Sequence, residues 1–225
     1  YVLLDEKTVL LDTVDQSVAG QFFENLAFVL GDRPLDYIVV HHMEPDHGAN
    51  VARLAALYPE MQVVGNAKTF QYMEQFFGAE AIAKERRVVV KDGESLSLGA
   101  HTLTFVFAPM VHWPEAMVTF DTTNGVLFSA DAFGRFGALS RTAAAPWAPQ
   151  ARRYYYNIVG KYGAQVQALL KKAAALEIKT VCPLHGPVLT GEALGEALRL
   201  YDLWSRWQSE SPDDILLAHA SIHGN

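Results

Sequence analysis

A run of short β-strands in the middle of the chain limits the possible folds more than any other feature. The stretch "RRVVVKDGESLSLGAHTLTFVFAP" at residues 86–109 is followed by "AMVTFDTTNGVLFSAD" at residues 116–131. β-Branched and aromatic runs separated by Asp-Gly, Leu-Gly-Ala and Asn-Gly turns predict antiparallel strands joined by hairpins. A doubly wound parallel sheet needs a crossover helix between successive strands, so this stretch makes that fold the weaker alternative.

Helical patterns flank this central stretch on both sides. "YVLLD" and "TVLLDTV" predict a hairpin, and Asp15 is placed to cap a helix over "QSVAGQFFENLAFVLG" that stops at Gly31. Strand and helix patterns then alternate as far as Gly78. After the central strands, "APQARRYYYNIVGKYGAQVQALLKKAAALE" predicts one long helix, followed by the strand "IKTVCPL" and the helix "GEALGEALRLYDLWSRWQ". This order predicts an α/β chain folded as an αββα sandwich, with two mixed β-sheets packed face to face and flanked by helices.

Composition narrows the classes of partner. Half of the 225 residues are apolar and 19% are charged, which is typical of a globular protein. The formal net charge of −7 disfavours nucleic acid or an anionic membrane surface as the main partner. The longest apolar runs fall far short of the ~20 residues that a membrane span requires.

The single cysteine, Cys182, excludes an intrachain disulfide framework and favours a reducing, cytoplasmic setting. No signal peptide opens the sequence. Because Tyr1 is not a methionine and stands within a strand pattern, we expect further residues upstream.

Potential metal ligands crowd the end of one buried strand. In "IVVHHMEPDHGAN", three apolar residues run directly into His42, Glu44, Asp46 and His47. Buried charges need partners, and four such residues in one turn indicate a metal ion better than they indicate a polar loop. Strand ends that carry polar clusters are also where α/β proteins place their chemistry.

Three more candidate ligands follow predicted strands in the same way. His112 comes after "FVFAPMV", Asp131 ends "GVLFSAD", and His185 follows "IKTVCPL". Each alone would be unremarkable, but the repetition of the pattern predicts a shared site. We interpret His41, which has the opposite strand parity, and His101, in a polar turn, as structural residues.

Together these motifs resemble a known family. The set His-x-[His/Glu]-x-Asp-His, followed by a distant His, an Asp and a last His, is the binuclear signature of the metallo-β-lactamase fold. With Glu44 at the third position, "HMEPDH", "HWPEAM", "LFSADAFG" and "PLHG" resemble the diiron domain of flavodiiron proteins, which reduce dioxygen or nitric oxide. The similarity extends over essentially the whole chain, from "LLDTVD" to "YDLWSRW".

The resemblance implies a role for each candidate ligand. His42, Glu44 and His112 would hold one iron, Asp46 and His185 the other, with His47 joining the second iron in some relatives. Asp131 would bridge the two ions, and an oxo, hydroxo or peroxo bridge could enter between them. Trp113 and Tyr155 are the expected neighbours of the ligands.

The donor set independently favours iron. It combines imidazoles with carboxylates and contains no thiolate, so it does not select a soft metal. A carboxylate at Glu44 in place of a neutral imidazole raises the electron density at its metal and stabilises the ferric state. A zinc hydrolase gains nothing from that change, because zinc acts without changing its oxidation state.

The resemblance also implies a reaction and partners. The expected function is reduction of O2 to water, of NO to N2O, or of both, with electrons delivered by FMN across a head-to-tail homodimer. Rubredoxin or a reduced flavin would be the electron donor. The alternatives are a stand-alone diiron protein that binds O2 for signalling and, third, a binuclear zinc hydrolase.

The C-terminal segment carries a further expectation. Residues 1–210 would form the metallo-β-lactamase-like diiron domain, and residues 211–225, "SPDDILLAHASIHGN", a linker and the first residues of a flavodoxin-like domain. There Ser221, Gly224 and Asn225 would lie in the loop that holds the FMN phosphate through backbone amides, if such a domain continues.

Overall fold

Two mixed β-sheets form the centre of the molecule in a computed structural model, which describes residues 1–142, 145–211 and 213. The first sheet has five strands in the order β1-β2-β3-β4-β5, and the second has six in the order β11-β10-β9-β8-β7-β6. The strands of the first sheet are β1 (Val2–Leu4), β2 (Thr8–Leu11), β3 (Tyr37–Val39), β4 (Gln62–Gly65) and β5 (Arg87–Val89). Those of the second are β6 (Ser95–Ser97), β7 (Thr102–Phe107), β8 (Met117–Asp121), β9 (Val126–Phe128), β10 (Thr180–Cys182) and β11 (Leu189–Thr190).

Helices cover the outer face of each sheet. Those of the N-terminal half are α1 (Ala19–Leu30), α2 (Pro45–Gly48), α3 (Val51–Leu57) and α4 (Ala67–Phe77). Those of the C-terminal half are α5 (Leu139–Thr142), α6 (Trp147–Ile158), α7 (Gly163–Ala173) and α8 (Gly191–Ser205). The predicted αββα sandwich is therefore confirmed, and the doubly wound alternative is wrong. Within the described ranges, no helix has the length and apolar character needed to cross a membrane.

The alternation of side-chain direction along each strand produces the layers of the sandwich. Val9 and Leu11 of β2 face the second sheet, where they pack with Phe105 and Met117. Leu10, between them, faces outward into a cluster formed with α1, α3 and α4. Because successive side chains of a strand point to opposite faces, each central strand supplies both the core between the sheets and one of the outer cores.

The turns follow the predicted chemistry. β1 and β2 pair as an antiparallel hairpin. Asp15 accepts a hydrogen bond from the backbone of Ser17 just before α1, and Gly31 ends that helix with a positive φ of 56°. The Asn-Gly turn between β8 and β9 has Gly125 at φ 70°, in the left-handed region that glycine adopts without strain.

The long helix predicted over residues 148–177 is wrong in its extent. The structure divides it into α6 and α7, with a 3₁₀ turn at Gly160–Tyr162 between them. Gly163, the first residue of α7 after the break, lies with its backbone against the end of α8. A Cβ at this position would be only 2.3 Å from the carbonyl oxygen of Ser205.

The topology brings the predicted ligands to one edge. β9 pairs with β10 in parallel, and β7 runs in the same direction because both flanking pairings, with β8, are antiparallel. The segments after β7, β9 and β10 carry His112, Asp131 and His185, so these residues meet at the same edge of the second sheet. The end of β3 in the first sheet faces them, since the Met117 backbone N–H donates to the carbonyl of His41 at 3.1 Å.

A substitution at Gly163 tests the packing of α7 against α8. We expect Gly163→Ala to lower the free energy of unfolding by about 1–3 kcal/mol, because backbone atoms must move apart to admit the methyl group. Gly195→Ala is the control, since its Cβ meets nothing within 4 Å in an exposed part of α8. Alanine there should be neutral or stabilise by up to ~1 kcal/mol. Urea unfolding of both variants measures the difference, and equal midpoints would contradict the role given to Gly163.

Candidate metal centre

The first candidate ligands lie on the turn that joins β3 to α2. Glu44 is the residue before α2, Pro45 occupies its first position, and Asp46 and His47 follow within a single turn. Proline at this position has a φ already suited to the helix, and its missing N–H would have had no partner there. A Cβ on Gly48 would come within 3.3 Å of the Met43 carbonyl, so glycine allows the turn to close without displacing that backbone.

The loop after β2 holds this turn in place. Thr13 donates from its backbone N–H, at 2.9 Å, and from its hydroxyl, at 2.5 Å, to the carbonyl of His47. Asn50 in turn donates from its backbone to the Thr13 hydroxyl at 3.3 Å. The short helix α2 is therefore tied to the first sheet by side-chain contacts as well as by its own backbone.

Two loops of the second sheet carry the remaining candidates and are bonded to each other. The backbone N–H of Leu184 donates to Ala130 and that of Arg135 donates to His185, each at 2.9 Å. Gly186 adopts a φ of 114°, and a Cβ there would come within 3.0 Å of the Arg135 side chain. Asp131 and His185 are thus fixed relative to one another by backbone hydrogen bonds.

All seven predicted ligands converge, and they form two groups. The first group contains His42, Glu44, His112 and Asp131, and the second contains Asp46, His47 and His185. Each histidine directs its Nε2 inward. In the first group Glu44 Oε2 lies 3.2 Å from His42 Nε2 and 3.0 Å from His112 Nε2. In the second, His185 Nε2 lies 3.2 Å from Asp46 Oδ2 and 3.4 Å from His47 Nε2.

Asp131 stands between the groups and offers one oxygen to each. Its Oδ2 lies 3.4 Å from His42 Nε2 and 3.3 Å from His112 Nε2. Its Oδ1 lies 2.9 Å from His47 Nε2 and 3.2 Å from His185 Nε2. A carboxylate in this position can join two cations that are held separately by the two groups.

The residues present fit a pair of metal ions. Donor atoms about 2.0–2.2 Å from one metal lie roughly 2.8–3.6 Å apart in octahedral or tetrahedral geometry, and the separations above fall in that range. The Oδ2 atom of Asp131 and the Oδ1 atom of Asp46 are also buried without a hydrogen-bond donor in the part of the chain that the structure describes. Buried carboxylate oxygens without donors are costly unless a cation satisfies them.

The electrostatics of the centre are those of tightly paired acids and bases. Burial disfavours the charged form of His42, but its contacts with Glu115 and Glu44 outweigh burial and raise the pKa of His42 to about 10. For His185, burial is likewise outweighed by Asp131 and Asp46, and its pKa rises to about 9. Burial raises the pKa of Asp131, but the close imidazoles of His112, His185 and His47 bring it well below its ordinary value.

Glu115 is a functional residue that the motif analysis missed. It is 1% exposed, and its Oε1 accepts hydrogen bonds at 2.9 Å from both His42 Nδ1 and the Met43 backbone. Asn66 holds its backbone carbonyl at 2.6 Å. A carboxylate on the outer nitrogen of a ligating histidine fixes the ring and raises its basicity. An acidic residue within the apolar stretch "VHWPEAMV" is the signal that could have identified it.

Trp113 lies beside the ligands as predicted. Its ring meets that of His42 edge-on, with centroids 4.9 Å apart, and packs on its other side near Tyr72 at 6.2 Å. Cavities of about 320 and 350 Å³ border on His112, Trp113 and Tyr162. Trp113 therefore forms part of the wall between the candidate ligands and these cavities.

The expectation for Tyr155 is corrected in favour of its neighbour. The hydroxyl of Tyr154 donates to Asp131 Oδ1 at 3.1 Å, and its ring lies 5.7 Å from that of His185. Tyr155 points instead into the core, against Tyr201 and Trp204. Consecutive helical residues differ by about 100° in direction, so the choice required the orientation of α6, which the sequence does not contain.

The two histidines interpreted as structural lie outside the ligand groups. His41 is buried, with Nδ1 2.6 Å from Asp12 and Nε2 2.7 Å from the Thr119 hydroxyl. His101 contacts Asp5 at 2.9 Å. Ser221, Gly224 and Asn225, the expected FMN-phosphate residues, lie outside the residues that the structure describes.

Comparisons with known proteins agree with this geometry. A family model described as "ODP family beta lactamase" matches residues 1–186. The chain is 31% identical over 233 residues to the anaerobic nitric oxide reductase flavorubredoxin of Vibrio vulnificus, an alignment that covers 100% of this chain and 46% of that protein.

Two solved structures share the fold. The rubredoxin oxygen:oxidoreductase of Desulfovibrio gigas matches with a TM-score of 0.84 and 31% identity over 92% of this chain and 53% of that one. The flavodiiron protein of Giardia intestinalis gives a TM-score of 0.85 and 28% identity over 92% of this chain and 51% of that one. The chain spans between 39% and 54% of the length of curated relatives that it matches.

Metal binding should release protons. The raised pKa values of His42, about 10, and His185, about 9, keep both imidazoles protonated at neutral pH in the metal-free protein. A metal must displace these protons, so its apparent affinity should rise with pH up to those values, by up to about tenfold per displaced proton per pH unit. Anaerobic calorimetry with ferrous iron between pH 6 and 8, in buffers of different ionisation enthalpy, measures the release. A pH-independent affinity would contradict the assignment.

Removing the charge of Glu115 should weaken metal binding without removing any ligand. We expect Glu115→Gln to reduce iron affinity by about 10–100-fold, because the amide still fills the space but no longer raises the basicity of His42. Glu24→Gln, on the exposed face of α1, is the matched control. Competition with a chromophoric chelator gives both affinities, and identical values would show that Glu115 has no influence on the centre.

Proposed function

The chain belongs to the family described as ODP family beta lactamase, and on that basis we propose that it is the diiron domain of a flavodiiron oxidoreductase. Its proposed reaction is reduction of O2 to water, of NO to N2O, or of both. The observation that carries the proposal is the position of Asp131, with one carboxylate oxygen facing each ligand group.

The proposed ligand sets follow from the two groups. His42, Glu44 and His112 would hold one iron, Asp46, His47 and His185 the other, and Asp131 both. Such a pair of ions, when bound, would supply electrons for the reduction of a diatomic gas. The inclusion of His47 is supported by its Nε2, which faces the same atoms as His185 Nε2.

Neighbouring side chains orient the ligands and hold a proton. Glu115 fixes the ring of His42, and the hydroxyl of Thr13 fixes the backbone of His47. Burial and the adjacent Asp131 carboxylate raise the pKa of Tyr154, so its phenol stays protonated. Tyr154 therefore keeps a proton within hydrogen-bond distance of the Asp131 oxygen. Reduction of the gas at the centre consumes protons. The ring of Trp113 packs against His42 and Tyr72 and so helps to fix the position of the His42 ring.

Electrons would reach the centre from outside the described residues. We propose FMN as the immediate source, with rubredoxin or a reduced flavin as its donor, and a head-to-tail homodimer that brings the flavin of one chain to the metals of the other. The proposal includes residues 1–210 as the diiron domain, residues 211–225 as the start of the flavin-binding part, and the cytoplasm as the compartment. The names of the Vibrio and Desulfovibrio relatives support the substrates and the rubredoxin donor.

Anaerobic loading with ferrous iron followed by mixing with O2 or NO tests the function. We expect about two irons per chain, rapid oxidation of both, and no lasting coloured species, as a reductase awaiting its electron donor requires. An oxygen adduct that persists for minutes would favour an O2-binding sensor instead. Tight binding of zinc in preference to iron, with hydrolysis of esters or amides, would favour the hydrolase.

Two substitutions make the same test specific for the centre. Asp131→Ala should lose iron from both groups and show no rapid oxidation, because it removes the carboxylate that faces both. His101→Ala should keep both irons and the wild-type rate, because the side-chain hydrogen bonds of His101 in the described part of the chain are to Asp5 and Asn124. Full iron content in Asp131→Ala, measured by elemental analysis, would overturn the proposed ligand sets.

A further inference from the structure

Three consecutive tyrosines of α6 lie at three depths of the molecule. Tyr154 contacts the candidate ligand Asp131 at 3.1 Å, whereas Tyr155 is completely buried in the C-terminal core. Tyr156 is 39% exposed. The side chains of these three consecutive tyrosines thus lie beside the metal centre, in the core and at the surface, within about one turn of helix.

Other aromatic rings connect these depths. The ring centroids of Tyr155 lie 5.1 Å from Tyr201 and 5.4 Å from Trp204, and those of Tyr201 and Trp204 lie 5.7 Å apart. Tyr156 lies 5.3 Å from Tyr155 and 6.4 Å from Trp204. These distances place neighbouring rings close to van der Waals contact, so electronic coupling between them is strong.

The outer end of the cluster reaches solvent at one residue. The centroid of Trp207 lies 5.7 Å from that of Tyr156, and Trp207 is 62% exposed. Among the ring contacts of the described residues, Tyr156 is the only partner of Trp207. The ring-to-ring route to Trp207 therefore passes through Tyr156, while the Trp207 backbone N–H also donates to the carbonyl of Trp204 at 3.1 Å.

The inner end lies beside the metal centre at two points. Tyr154 bonds Asp131, and the hydroxyl of Tyr201 accepts a hydrogen bond at 2.6 Å from the backbone of Phe133, two residues further along. Burial raises the pKa of Tyr201, and Tyr155 and Asp131 raise it further. Burial likewise raises the pKa of Tyr154, to which Asp131 and then Tyr201 add. Two geometric links join this end to the other rings: Tyr154 is bonded to Tyr155 in the chain, and the Tyr201 ring stacks on Phe133 with centroids 4.3 Å apart.

Packing alone does not account for the polar atoms of this cluster. The Tyr155 hydroxyl lies near Ser205, yet it is buried and forms no hydrogen bond of ordinary geometry within the described chain, and the same is true of the Trp147 indole nitrogen. A buried polar group without a partner costs about 1–3 kcal/mol, so phenylalanine would serve a purely apolar role better. Trp204 differs, because its indole donates to Glu210 at 2.6 Å, and a carboxylate there eases loss of an electron and a proton.

We propose that Tyr154, Tyr155, Tyr201, Trp204, Tyr156 and Trp207 form a relay that carries oxidising equivalents from the metal centre to the protein surface. Tyrosine and tryptophan are the side chains from which one electron is most readily removed near the potentials of oxidised metal centres. The relay would protect the ligands when no electron donor is bound. The inference rests on the proposed function, since it requires a centre that reacts with O2.

The relay would supply electrons that the two ferrous ions cannot. Reduction of one O2 to two waters takes four electrons and four protons, and two ferrous ions supply two of the electrons as they become ferric. Without a bound flavin, reduction by the two ferrous ions alone would stop at hydrogen peroxide, and complete reduction to water would take the other two electrons from the protein. Tyr154 gives up one electron at a time, and its phenolic proton moves along the hydrogen bond toward Asp131.

The relay then restores Tyr154. Tyr201 or Tyr155 donates an electron to oxidised Tyr154, and the proton of Tyr154 returns from Asp131. Trp204 and then Tyr156 donate electrons in turn, so the oxidised site moves outward. Trp207 finally loses an electron to Tyr156 and its indole proton to solvent. A soluble thiol can reduce Trp207 again by transferring one hydrogen atom, with two such thiols ending as a disulfide.

Mapping of oxidation sites by mass spectrometry tests the relay. The iron-loaded protein is mixed with O2, and separately with hydrogen peroxide, in the absence of a donor and then digested. We expect oxygenated Trp207 that depends on bound iron and is suppressed by added thiol. Freeze-quenched samples should give a tyrosyl or tryptophanyl signal by electron paramagnetic resonance.

Tyr156→Phe is the decisive variant because it leaves the metal centre and the core unchanged. Oxygenation of Trp207 should fall to the level of iron-free protein, and the radical signal should persist for longer on the buried rings. Tyr58→Phe, a tyrosine outside the cluster, is the matched control and should behave as wild type. In Trp207→Phe, the oxidation should appear on Tyr156.

The outcomes separate the relay from the function on which it rests. Rapid oxidation of iron with Trp207 equally oxygenated in wild type and Tyr156→Phe would overturn the relay alone, because the oxidant would then have reached Trp207 through solvent. Oxidation confined to His185 and other ligands would overturn it as well. Optical and Mössbauer spectra show the oxidation state of the iron. If the iron stays ferrous with both oxidants, the proposed function and the relay are both overturned.

Discussion

The buried carboxylate of Asp131 is the group on which the rest of the centre depends. It is 2% exposed, and four imidazole nitrogens lie within 3.4 Å of its two oxygens. A charge in such a position requires compensation from several directions. The fold provides it by bringing the ends of strands from both sheets, with their histidines, to a single point.

The sandwich makes this convergence possible because its two sheets contribute different ligands. The first sheet supplies His42, Glu44, Asp46 and His47 from one turn, held by Thr13 and by Glu115 from across the interface. The second supplies His112, Asp131 and His185 from loops tied together by backbone hydrogen bonds. Neither sheet alone presents both halves of the site, so ligand geometry and sheet packing are coupled.

The sequence was sufficient for the fold and for the convergence of the candidate ligands, because both follow from local patterns. Hairpin turns, strand alternation and helix ends at Gly31 and Gly78 gave the element order, and each candidate ligand directly follows a strand. What the sequence could not provide are features set by tertiary contacts. The break before Gly163 and the contact of Gly163 with α8 are such features, and a helix pattern alone contains no sign of either.

Tertiary contacts also decide which residues neighbour the candidate ligands. Choosing Tyr154 over Tyr155 depends on how α6 is rotated against the second sheet. Glu115 becomes a partner of His42 only when the two sheets are packed together. The seven ligand assignments themselves, and the FMN loop at Ser221, Gly224 and Asn225, stay predictions.

Anomalous diffraction at the iron edge from crystals of the iron-loaded protein tests the central claim most directly. We expect two anomalous-density peaks about 3.5–4 Å apart, as in other two-metal sites. One should lie among His42, Glu44 and His112, the other among Asp46, His47 and His185, with Asp131 between them. A single peak, or two peaks that do not share Asp131, would contradict it.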